Sequence, residues 1–75
     1  MMRFKNLEAE IKRVGKSVEE VSNELGFAKA VIYNRLRGDT KWVLDDMLKF
    51  QEYLNLKSGQ NFTLDYLFLF EIGEN

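Results

Sequence analysis

The chain has 75 residues, enough for one small domain, and 45% of them are hydrophobic. It has no cysteine and no histidine, which excludes disulfides, thiolate metal sites and the commonest side-chain bases and nucleophiles of enzymes. No apolar run suits a signal peptide or a membrane span, so we expect a cytoplasmic, non-enzymatic protein with no cofactor, no metal and no membrane partner.

The charges divide unevenly along the chain, although they sum to −1. Residues 1–41 carry nine Lys or Arg against six Asp or Glu, whereas residues 42–75 carry two against six. A basic half and an acidic half suit a domain that turns one face towards phosphates. Uneven charge is common in small domains, so this pattern favours a nucleic-acid partner only weakly.

Hydrophobic residues recur at three- and four-residue intervals and proline is absent, which predicts an all-α chain. The first helix is expected over 4–14, with Leu7, Ile11 and Val14 on its inner face. Gly15 follows as its stop signal.

A second and a third helix are expected on either side of a tight turn. Ser17 and Glu20 have the spacing of a capping box, so the second helix starts at Val18. Gly26 can adopt a positive φ and end that helix, and Phe27 is expected to fill the space before the next one. The third helix is predicted over Lys29–Leu36, with its apolar residues Ile32 and Leu36 facing inward.

A fourth helix is predicted over 44–54, with its inner face formed by Leu44, Met47, Leu48 and Leu54. Trp42 and Met47 have the spacing of a hydrophobic staple around an N-cap at Val43. The segment 57–61 is then expected to be a loop.

A short fifth helix is predicted over 64–69, with Thr63 as its cap. The apolar residues 66–72 alternate and could instead form a strand, but we prefer the helix followed by an extended tail.

Two short helices with a glycine turn between them follow the helix-turn-helix plan. The spacing of Ser22, Gly26, Phe27 and Ile32, with Gly38 after the second helix of the pair, resembles the phage repressor and Cro-like (XRE-type) family. Ser22 stands where that family usually has alanine. The resemblance extends to Gly15-Lys16-Ser17 before the motif and to TLDYLF at 63–68, and so covers roughly residues 4–70.

This resemblance implies one domain over residues 1–75, a compact bundle of about five short helices that binds double-stranded DNA. Its recognition helix, about 28–37, would lie in the major groove. Lys29 could then donate to guanine, Asn34 could pair with adenine, and Ala30 could touch a thymine methyl. The residues implied to face DNA, including those placed for phosphates, are Lys16, Ser17, Ala28, Lys29, Ala30, Tyr33, Asn34, Arg37 and Lys41. On an exposed helix without the motif, such residues would usually be a solvated face.

Arg35 replaces an apolar residue of the family pattern, and two roles are open for it. Its guanidinium could reach a phosphate, or it could pair with an acid such as Glu24. We favour the structural ion pair.

The aromatic C-terminal end also has two interpretations. Its side chains could complete the small core, or they could overflow it and form a dimer surface. Repressors of this kind bind two half-sites as two-fold dimers, so we expect a homodimer. The dimer surface is predicted at Tyr66, Phe68, Phe70 and Ile72.

The sequence therefore favours a sequence-specific transcriptional regulator of the phage repressor or Cro type, acting by occupying an operator. The alternative is a protein-interaction module on the same scaffold, such as an antirepressor that binds another repressor. The acidic total and the aromatic tail favour this alternative.

Overall fold

The computed structural model describes residues 4–70, which contain five helices and no strand. The helices are α1 (Lys5–Arg13), α2 (Val18–Glu24), α3 (Lys29–Leu36), α4 (Leu44–Ser58) and α5 (Leu64–Leu67). The predicted all-α bundle is therefore confirmed over this range. No helix in the described part of the chain is long and apolar enough to cross a membrane.

A single hydrophobic core joins the five helices. The inner faces predicted from helical spacing are correct for α1, where Leu7 and Ile11 are buried, and for α3, where Ile32 and Leu36 are buried. The buried hydrophobic residues are Phe4, Leu7, Ile11, Val18, Val21, Ile32, Leu36, Phe50, Leu54 and Leu67. To this core α2 contributes Val18 and Val21, and α3 contributes Ile32 and Leu36.

The end predicted for α4 is wrong, because the helix continues one turn beyond Leu54 to Ser58. The Ser58 hydroxyl donates to the Leu54 carbonyl oxygen at 2.6 Å within this last turn. Gly59, with a φ of 75°, then ends the helix, and its N–H donates to the Asn55 carbonyl.

The inner face predicted for α4 is also partly wrong. Leu44 and Leu48 are exposed, whereas Phe50 is fully buried beside Leu54. The Phe50 ring stacks on Phe27 at 5.7 Å between centroids and meets Trp42 edge-on at 5.3 Å. Because α4 carries apolar residues on both sides, these aromatic contacts, rather than its own pattern, decide which side faces the core.

The predicted start of α4 at Leu44 is confirmed. Val43 is its N-cap without a side-chain hydrogen bond, and Trp42 and Met47 line one surface groove beside it.

The fifth helix is shorter than predicted. The Thr63 side chain accepts a hydrogen bond from the Tyr66 N–H at 3.0 Å, as expected of a cap, but the helix ends at Leu67 rather than near 69. Residues 69 and 70 have no regular secondary structure. This short helix packs against α1 and α4.

Candidate nucleic-acid interface

The start of α2 is held by the predicted capping box. The Ser17 hydroxyl oxygen accepts from the Glu20 N–H at 3.1 Å, and Glu20 Oε1 accepts from the Ser17 N–H at 2.8 Å. Two donors of the first turn are thus satisfied within the chain. The Glu20 carboxylate therefore lies beside Ser17, one of the residues that the resemblance implies to face DNA.

The turn between α2 and α3 is closed by backbone hydrogen bonds. Gly26 has a φ of 86°, a conformation that side chains disfavour, and the following N–H of Phe27 donates to the Ser22 carbonyl at 2.8 Å. Ser22 is itself buried, and its hydroxyl donates to the Val18 carbonyl at 2.7 Å. A small residue at this position lets the chain fold back, so the turn directs α3 across α2.

The outer face of α3 is open to solvent. Its predicted DNA-facing residues Ala28, Lys29, Ala30 and Arg37 are exposed, as are Ser17 and Lys41 nearby. Two more, Tyr33 and Asn34, and also Lys16, are partly buried. α3 packs on the core through the buried Ile32 and Leu36 and the partly buried Tyr33, which leaves the start of the helix and Arg37 exposed.

Three of the predicted DNA-facing cations already have carboxylate partners. Lys16 Nζ lies 3.2 Å from Glu24 Oε2, Lys29 Nζ lies 3.7 Å from Glu19 Oε2, and Arg37 Nε lies 3.2 Å from Asp39 Oδ2. Lys41, by contrast, makes no ion pair within residues 4–70.

Sequence reasoning did not find these acidic partners. The Arg37–Asp39 pair is two residues apart and could be read locally. The Lys29–Glu19 pair joins α3 to α2, so it depends on how the two helices cross, and the Lys16–Glu24 pair joins residues at the two ends of α2. Neither pair leaves a signal in the spacing.

A side-chain network lies at the C-terminal end of α3. Arg37 Nη2 donates to Asn34 Oδ1, while Arg37 Nε donates to Asp39. Because a guanidinium has no acceptor, the atom of Asn34 that faces it is the oxygen, and the amide NH₂ is left for other partners. Arg37 therefore orients Asn34, the residue expected to read a base.

Arg35 forms the structural ion pair that the sequence favoured, but with Asp46 rather than Glu24. Arg35 Nη1 lies 2.6 Å from Asp46 Oδ2, with side-chain exposures of 14% and 18%. The guanidinium also lies 5.6 Å from the centre of the Trp42 ring. These contacts hold the C-terminal part of α3 to the first turn of α4.

The C-terminal aromatic residues divide between the core and the surface. Phe68 is partly buried against Trp42, 4.8 Å between centroids, and so completes the core. Phe70 is 44% exposed and packs edge-on against Phe4. Ile72 lies outside the described residues.

Tyr66 is exposed, yet its hydroxyl donates to Glu10 Oε2 at 2.5 Å. Glu10 is 4% exposed, and the same oxygen accepts from Arg13 Nη1. The hydrogen bond to Glu10, followed by burial, raises the pKa of Tyr66. Tyr66 thus ties α5 to α1, and the dimer surface assigned to this end stays a prediction.

Comparison with known proteins adds no independent evidence. No protein-family model matches the chain, and neither a curated protein nor a solved structure matches it. The case for a function therefore depends on the geometry of α2 and α3.

Proposed function

We propose that this protein is a sequence-specific DNA-binding regulator that inserts α3 into the major groove, in the manner of phage repressor and Cro-like proteins. The observation that carries the proposal is the open outer face of α3, which follows the positive-φ turn at Gly26. On that face Lys29, Ala30 and Asn34 offer donor, methyl and carboxamide groups to base edges. Such a protein would work in the cytoplasm, as a dimer on a two-fold operator.

Phosphate contacts would come from the cations around α3. The Lys16, Lys29 and Arg37 pairs with carboxylates are solvent-accessible, and such pairs contribute only about 0–1 kcal/mol each. Replacing the carboxylate partner of one of these cations by a DNA phosphate therefore costs little free energy. Lys41 makes no ion pair within the described residues, so it could bind a phosphate without displacing an acid.

A protein-interaction module is the second candidate, and one observation favours it. Glu19 and Glu20 line the groove between the starts of α2 and α3, together with Lys29. Acids at this place repel phosphates and would suit a basic protein surface instead. An antirepressor that binds a basic surface of another repressor through this acidic groove would be such a module.

Titration of labelled duplex DNA separates the two candidates. We expect micromolar or tighter binding at roughly 50 mM salt, with log affinity falling by about 0.9 per neutralised phosphate for each unit of log salt. Lys29→Ala should lower that slope, whereas Lys57→Ala, which removes the same charge from α4, should not. Absence of binding at low salt would favour the protein-interaction module.

A further inference from the structure

The C-terminal end of α3 is closed by a Schellman motif, a turn that pairs the last carbonyls of the helix with the next backbone N–H groups. Gly38 has a φ of 86°, and its N–H donates to the Arg35 carbonyl at 3.1 Å. The following N–H, that of Asp39, donates to the Asn34 carbonyl at 2.9 Å. The backbone of Asp39 is therefore tied to that of Asn34, the residue expected to read a base.

The side chain of Arg37 connects those of Asp39 and Asn34. Its Nε donates to Asp39 Oδ2 at 3.2 Å, and its Nη2 donates to Asn34 Oδ1. A guanidinium presents its N–H groups in a fixed fork, so the bond to Asp39 sets the direction of the N–H that meets Asn34. Its Nη1 makes no hydrogen bond within residues 4–70, so Arg37 can contact a DNA phosphate without releasing Asn34.

We propose that Arg37 is a specificity-determining residue that makes Asn34 read guanine rather than adenine; this inference rests on the proposed function. An asparagine that pairs with adenine uses both ends of its carboxamide, because the NH₂ group donates to N7 and the oxygen accepts from the N6 amino group. In this chain the oxygen of Asn34 already accepts from Arg37. The NH₂ group, a donor, is the end of Asn34 left for a base.

The charge of Arg37 also disfavours adenine. An amide oxygen has two lone pairs, so Asn34 Oδ1 can still accept a second hydrogen bond. An adenine amino group that donated to it would lie beside the guanidinium, whose positive N–H groups point at the same oxygen, and the two sets of donors would repel.

Guanine suits this pair of side chains. Its major-groove edge carries two acceptors, N7 and O6, and no donor, so it matches the NH₂ group of Asn34 and the positive charge of Arg37. The sequence alone predicts adenine for Asn34, and the bond from Arg37 reverses that expectation.

Selection of bound oligonucleotides from a random pool tests the inference, with Asn34→Ala, Arg37→Met and Lys41→Met beside the wild type. The position that Asn34 reads is the one whose preference is lost in Asn34→Ala. There the wild type should prefer a G·C pair over an A·T pair by about tenfold. Arg37→Met frees the Asn34 oxygen, so it should shift this ratio about tenfold or more towards A·T.

Lys41→Met is the matched control, because Lys41 is also placed for a phosphate and makes no ion pair within residues 4–70. Both variants remove one positive charge and should weaken binding to every sequence. Only Arg37→Met should change the preferred base, which the loss of a phosphate contact alone does not do. Circular dichroism checks that each variant stays helical.

Titration of the wild type on the selected site, with G·C or A·T at that position, checks the ratio without any Arg37 variant. A wild-type preference for A·T would overturn the inference and leave DNA reading by α3 in place. So would an unchanged ratio in Arg37→Met, or an Asn34→Ala variant that keeps every preference. The absence of any selected site for the wild type would overturn the proposed function, and this inference with it.

Discussion

The Tyr53 hydroxyl on α4 donates a 2.8 Å hydrogen bond to Glu24 Oε1 at the end of α2, and Glu24 also pairs with Lys16. This contact links the first helix of the helix-turn-helix pair to the longest helix of the bundle. The hydrogen bond from Tyr53, followed by that from Lys16, lowers the pKa of Glu24. Burial and the bond to Glu24 raise the pKa of Tyr53 to about 12.

The raised pKa of Tyr53 predicts an alkaline dependence of stability. Because the pKa of Tyr53 is higher in the folded state than its ordinary value of 10, the protonated hydroxyl stabilises the fold fully below pH 10. This stabilisation is lost as the pH rises towards about 12. Tyr53→Phe should therefore show a shallower fall of the melting temperature between neutral pH and about pH 12 than the wild type. Equal slopes for the two proteins would mean that Tyr53 is not held by Glu24 in solution.

The Arg35–Asp46 pair should contribute to stability, unlike the exposed pairs of the surface. Arg35→Ala leaves a mostly buried carboxylate without its partner, so we expect a loss of about 1.5–3 kcal/mol in the free energy of unfolding. In a double-mutant cycle with Asp46→Ala the losses should fall well short of additive. Additive losses in urea denaturation would show that the two side chains do not interact.

Phe50 should dominate the stability of α4. Phe50→Ala removes a fully buried ring that contacts Phe27 and Trp42, and such changes cost about 3–5 kcal/mol. Leu44→Ala, at an exposed site of the same helix, should change stability by less than about 0.5 kcal/mol. Thermal unfolding at low protein concentration compares the two, and similar losses would contradict the burial described for α4.

Glu19 should oppose DNA binding. Glu19→Gln releases Lys29 from its 3.7 Å carboxylate partner and removes a negative charge beside the recognition helix. An exposed pair contributes about 0–1 kcal/mol, so the affinity for DNA should rise by up to about fivefold. Asp65→Asn, the same change of charge on α5, should have little effect in the same titration. An unchanged or lower affinity for Glu19→Gln would argue that α3 meets no phosphate near Lys29.

The sequence predicted α2 and α3 well because their signals are local. The capping box at Ser17 sets the start of α2, and Gly26 sets the turn that follows it. The spacing of Ile32 and Leu36 sets the buried side of α3. The bounds predicted for α3 are those of the structure.

The sequence-based predictions are wrong where contacts between residues far apart in the sequence determine which side chains are buried or paired. Phe50 is buried because the rings of Phe27 and Trp42 contact it, and the sequence of α4 alone does not distinguish that side from the one with the exposed Leu44 and Leu48. Likewise Arg35 was expected to find an acid, but its pairing with Asp46 depends on how α3 meets α4. The Lys29–Glu19 pair, which joins α3 to α2, could not be predicted for the same reason.

Base reading by Asn34 is the most direct test of the central claim that α3 reads DNA. Oligonucleotides selected from a random pool would give a preferred site, and binding of Asn34→Ala to that site and to random DNA would then be compared. We predict a loss of about 1–3 kcal/mol on the preferred site and little change on random DNA, with Asn61→Ala, at an exposed asparagine between α4 and α5, as the matched control. Equal losses on both DNAs, or no selected site at all, would contradict the account.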